Sequence, residues 1–72
     1  MIMAQYTATV EQESYSLGFI KWIEAKRLDK INREIVKTGK TWQGLELPKK
    51  IKQGHYYSAY YDGWRITIHR GS

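Results

Sequence analysis

The chain has 72 residues, no cysteine and a formal charge of +5; it is expected to form one small domain, near the lower size limit for an unaided hydrophobic core. Disulfides and thiolate–metal sites are excluded, and two isolated histidines give no reason to expect a metal or cofactor. No basic segment leads into an apolar run, and no stretch approaches the roughly 20 apolar residues that span a bilayer, so a cytoplasmic protein with no membrane partner is expected.

In "QYTATVEQ", Tyr6, Ala8 and Val10 alternate with Thr7, Thr9 and Glu11. That is the period of a half-buried strand, and its β-branched content agrees. "ESYS" breaks the alternation, and Ser14 or Ser16 is suited to cap a following helix. That helix is expected from about Leu17 to Thr38. Leu17, Ile20, Ile23 or Ala25, Leu28, Ile31 and Ile35 fall on one stripe, with Lys26, Lys30, Arg33 and Lys37 away from it. Phe19 and Trp22 widen its apolar face, and Gly39 reads as the left-handed residue after its C-terminus.

"KTWQGLELP" offers an edge or irregular strand with Leu45 and Leu47 on one side, weakened by Gly44 and ended by Pro48. "KKIKQG" then makes a basic loop anchored by Ile51. In "YYSAYYDGWRITIHR", Asp62-Gly63 between two β-rich runs is a strong hairpin signal, because a type I′ turn needs positive φ at both central residues. The predicted fold is α+β with order β-α-β-β(-β), one long amphipathic helix packed on a small antiparallel sheet.

A two-residue loop at Asp62-Gly63 pairs Tyr61 with Trp64, Tyr60 with Arg65 and Ala59 with Ile66. It also pairs Ser58 with Thr67, Tyr57 with Ile68 and Tyr56 with His69. One face then holds Tyr57, Ala59, Tyr61, Trp64, Ile66 and Ile68, a core side. The other holds Tyr56, Ser58, Tyr60, Arg65, Thr67 and His69. Tyrosine, serine and threonine on a solvent face need no further purpose, but rings beside a guanidinium also suit base stacking or a protein anchor.

Charge concentrates just before this ribbon: residues 37–54 carry five lysines against Glu46. Lys49, Lys50 and Lys52 are therefore candidate phosphate contacts, with Tyr56, Tyr60, Arg65, His69 and Arg70 as candidate nucleic-acid or partner contacts. Catalytic signatures are missing. "TGKT" (38–41) has Glu34 where a phosphate-binding loop needs its first glycine, and it follows a helix rather than preceding one. No carboxylate pair or Ser-His-Asp arrangement stands out, so no enzyme is expected.

The run from Gly54 through Tyr56, Asp62, Trp64, Arg65 and Ile66 resembles the hairpin of RelE/HigB-type ribosome-dependent mRNA interferases. The resemblance implies helices before the hairpin, a role for Arg65 as that family's hairpin arginine, and a basic loop facing RNA. It covers about a fifth of the chain, which stops just after Arg70 without that family's last strand and catalytic side chain.

The leading expectation is a small basic non-enzymatic binding module, able to work as a homodimer, engaging nucleic acid or a nucleoprotein. The runner-up is a phage- or mobile-element-type inhibitor or adaptor binding a host or defence protein complex, an anti-CRISPR-like role. An interferase-like toxin or degenerate relative is a third.

Overall fold

The computed structural model describes residues 5–12, 20–38, 46–61 and 63–71. Along the chain run β1 (Tyr6–Gln12), β2 (Ile20–Ala25), α1 (Leu28–Val36), β3 (Tyr56–Tyr61) and β4 (Trp64–Arg70). The strands form one antiparallel sheet in the order β2-β1-β4-β3. The first and last strands are therefore central and the other two lie at the edges. Among the described residues this is an α+β fold of one helix and a four-stranded antiparallel sheet.

Alternation sets the buried face. Tyr6, Ala8 and Val10 are buried in β1, and Ile23 and Ala25 in β2. Trp64, Ile66 and Ile68 are buried in β4, with Tyr57 of β3 packed against them. Register lines these up across the sheet, with Ala8 opposite both Ile23 and Ile68, and Ile68 opposite Tyr57. α1 lies over β1 and β2 and buries Leu28, Ile31 and Ile35, the i, i+3, i+7 spacing of one helical face.

The segment before β3 completes the core on the same side. Ile51 is buried and Leu47 packs against the cluster. Asn32 Nδ2 donates to the Pro48 carbonyl at 2.9 Å, and the Tyr57 hydroxyl donates to the Glu46 carbonyl at 2.8 Å. Gly54 takes φ +80° in the turn that enters β3, a conformation glycine adopts without the steric cost other residues meet. The two ends of the sheet's centre meet where Gly71 N donates to the Gln5 carbonyl at 2.8 Å.

The long helix expected over Leu17–Thr38 is corrected: its residues Ile20–Ala25 form β2, and the helix covers Leu28–Val36 only. The predicted order β-α-β-β(-β) accordingly becomes β-β-α-β-β. The same apolar residues satisfy both periods. Ile23 and Ala25 alternate with Trp22 and Glu24 as well as they fit a helical stripe. Two physical terms favour the strand. Isoleucine and tryptophan suit a pleated surface, and without β2 one side of β1 would leave its backbone donors and acceptors unpaired. Intrinsic helix preference, at most about 0.7 kcal/mol for an ordinary residue, does not outweigh a six-residue ladder.

The helix begins after Arg27, whose φ −121° and ψ 141° are extended. At its other end Thr38 Oγ1 donates to the Ile35 carbonyl at 2.7 Å. The predicted strand near Leu45 and Leu47 is absent from its described part, since Glu46, Leu47 and Pro48 carry no strand. Ser14, Ser16, Leu17, Gly39, Gly44 and Asp62 lie outside the described residues. Gly63 has φ +79°.

Candidate functional site

The face of the sheet turned away from α1 is laid out by three rows of register. Glu24, Thr7, His69 and Tyr56 form the first row, and Trp22, Thr9, Thr67 and Ser58 the second. Glu11, Arg65 and Tyr60 form the third. At about 4.8 Å between strands, the face spans about 14 Å from β2 to β3.

Three large rings stand out from it: Trp22 is 59 % exposed, Tyr56 65 % and Tyr60 61 %. They occupy the two edge strands, while threonines and charged groups fill the centre. Each has a neighbour on the face. Trp22 Nε1 donates to Glu24 Oε2 at 2.6 Å, which holds the indole along β2. The Tyr56 and His69 rings lie 5.5 Å apart between centroids and 31° from parallel. Arg65 is opposite Tyr60 in register, and its Nη2 donates to Glu11 Oε2 at 3.0 Å.

Tyr56, Tyr60, Arg65 and His69 thus share one face, as the register of β3 with β4 requires. Arg70 does not join them. It sits on the opposite face, its guanidinium 5.3 Å from the Tyr6 ring centroid and its Nη1 donating to the Ile51 carbonyl at 3.2 Å. Lys49, Lys50 and Lys52 are exposed, but their segment is tied to the helix side through Pro48 and Ile51. The loop leads into β3 through Gly54, whose N–H donates to the Arg70 carbonyl at 3.0 Å.

Two features escape the sequence reading. Trp22 belongs to this face rather than to a helix, and the signal was the alternation of Trp22 and Glu24 with Ile23 and Ala25. The second is a cleft of about 360 Å³ between the end of β2 and α1, lined by Glu24, Ala25, Lys26, Arg27, Lys30 and Arg33.

Among the described residues no group of three or more histidine, cysteine or carboxylate side chains gathers to hold a metal ion. No described helix is long and apolar enough to cross a membrane. No family model matches the chain, and neither curated proteins nor solved structures give a significant match. One described helix, α1, precedes the β3–β4 pair, as the interferase resemblance implies, with the strands β1 and β2 before it.

Proposed function

We propose that this chain is a small non-enzymatic binding module that takes single-stranded nucleic acid across its open sheet face. One observation carries the reading: Trp22, Tyr56 and Tyr60 stand exposed with Arg65 and His69 on one face of a sheet whose other face is packed. A flat sheet with outstanding rings offers unpaired bases a stacking surface, and no described element protrudes from it to enter a duplex groove.

Magnitudes bound the idea. Stacking on three rings at about 1–3 kcal/mol each yields about 3–9 kcal/mol. A micromolar complex needs about 8 kcal/mol after the cost of association. Stacking alone therefore falls short, and phosphate contacts must contribute. The Arg65–Glu11 pair does not prevent this, because exposed ion pairs are worth about 0.2–1 kcal/mol and exchange partners cheaply.

A second reading is favoured by the same pair. Glu11 and Glu24 place two carboxylates on the open face, leaving it closer to neutral than a nucleic-acid surface usually is. An inhibitor or adaptor that docks its rings on a protein complex fits such a mixed face, since aromatic residues and arginine dominate interface hot spots.

Fluorescence anisotropy with single- and double-stranded oligonucleotides at two salt concentrations separates the two. The nucleic-acid reading expects preference for single strands and affinity that falls with salt. Absence of micromolar binding at low salt overturns it in favour of a protein target.

A further inference from the structure

The densest lysine cluster in the sequence is not the only source of positive charge. At the junction of β2 and α1, four cations line the cleft of about 360 Å³: Lys26, Arg27, Lys30 and Arg33. Arg27 Nε donates to Asp29 Oδ1 at 3.1 Å, and Lys37, further along, pairs with Glu34 at 3.3 Å. Among the described residues Lys26, Lys30 and Arg33 have no ion pair. The fold thus supplies carboxylates to Arg27 and Lys37 but not to these three.

Two effects make that arrangement unfavourable for the fold itself. Like charges three or four residues apart on a helix repel one another. Lys26, Arg27 and Lys30 also crowd the end of α1 where the helix dipole disfavours positive charge. A bound anion would relieve both. Among the described residues Glu24 is the sole carboxylate lining the cleft, and its Oε2 is engaged by the Trp22 indole on the open face.

We infer that this cleft is a polyphosphate-class anion site, placed to take the backbone phosphates of a strand whose bases lie on the sheet. Glu24 joins the two surfaces: it neighbours Trp22 on the face and lines the cleft around the β2 edge. A strand stacked on Trp22 therefore passes its backbone into the cleft around the β2 edge. The strand half of this inference rests on the stacking surface proposed above. The anion half does not.

The test uses the intact chain and amide ¹H–¹⁵N NMR with three probes: inorganic tripolyphosphate, a single-stranded oligonucleotide and a poly-glutamate peptide. Tripolyphosphate is expected to shift amides of residues 24–33, and the oligonucleotide to shift those and residues 7, 9, 22, 67 and 69. In parallel, K30A/R33A is expected to reduce the salt slope of oligonucleotide affinity by about 1.4, at about 0.7 per phosphate contact on a single strand. K37A, whose ammonium pairs with Glu34 and does not line the cleft, is expected to leave it unchanged.

If the oligonucleotide binds the sheet while K30A/R33A keeps the full slope, the cleft inference falls and the stacking surface stands. Tripolyphosphate binding at the cleft with no oligonucleotide binding anywhere supports the anion site and overturns the stacking surface. Poly-glutamate shifting the cleft as strongly as tripolyphosphate overturns the phosphate assignment in favour of an acidic protein surface. No shift at residues 24–33 with any probe overturns the site.

Discussion

Arg65 reaches across from β4 to β1 and donates from Nη2 to Glu11 Oε2 at 3.0 Å, next to Tyr60 in the register of the open face. Among the described residues, the only basic side chain on that face with a permanent charge is thereby held by a carboxylate. Both side chains remain substantially exposed, at 44 % and 32 %, so the pair contributes modestly to stability. Its larger effect is on what the face attracts.

Glu11→Gln keeps the side chain's size and removes the negative charge. Relieving a contact worth about 0.2–1 kcal/mol is expected to tighten single-stranded oligonucleotide binding by about 1.4- to 5-fold, with the melting temperature nearly unchanged. Anisotropy titration of the variant beside the parent measures this. Weaker binding would mean that Glu11 positions Arg65 productively rather than competing for it.

The exposed tyrosines separate from the buried ones by the same alternation. Tyr56→Ala and Tyr60→Ala are each expected to weaken oligonucleotide binding by about 1–3 kcal/mol. Stability should move by no more than about 0.5 kcal/mol, because both rings stand mostly in solvent. Phenylalanine at either position should retain most of the affinity, since stacking needs the ring and not the hydroxyl. Loss of affinity with phenylalanine equal to that with alanine would point to hydrogen bonding by the hydroxyl instead.

What could be read from the sequence follows from where the competing periods differ. β1 alternates without ambiguity from Tyr6 to Glu11, and only one period fits. The pairing of Tyr56 with His69 and Tyr60 with Arg65 likewise follows from counting outward from one turn position, so the division of the tyrosines into two groups was legible. Residues 20–25 were not. Ile23 lies three residues from Ile20 and five from Leu28, close enough to a helical stripe to be absorbed into α1. Only the need of β1 for a second partner decides against it, and that need belongs to the sheet rather than to the segment. Trp22 was lost to the open face for the same reason, and with it the cleft that begins at Glu24. Arg70 ends up on the core side although it adjoins His69, because one step along a strand reverses the face.

β2 makes a sharp contrast between neighbours. Ile23 is 5 % exposed and Trp22 59 %. Ile23→Ala is expected to cost about 2–5 kcal/mol, a large part of the roughly 4–11 kcal/mol available to a domain of this length. Trp22→Ala should change stability by less than about 1 kcal/mol while weakening oligonucleotide binding. Urea denaturation of the two variants supplies the comparison. Similar losses at both positions would be the signature of a helix burying both side chains, and would overturn β2.

Arg70 supplies the complementary case, a cation whose work is structural. Its guanidinium lies over the Tyr6 ring at 5.3 Å and donates to the Ile51 carbonyl at 3.2 Å. Its own backbone N–H donates to the His55 carbonyl at 3.0 Å and its carbonyl accepts from Gly54 N at 3.0 Å. The side chain therefore ties β4 to β1 and to the loop that carries Lys49, Lys50 and Lys52. Arg70→Ala is expected to lose about 1–3 kcal/mol, from a charged hydrogen bond and a cation–π contact that overlap in what they hold together. Arg70→Lys should recover only part of this, because an ammonium cannot both lie flat on the ring and reach the carbonyl. Below the unfolding transition, oligonucleotide affinity should fall only by what one distant positive charge contributes through the overall field. A variant with parental stability and sharply reduced binding would return Arg70 to the contact surface and remove it from the core.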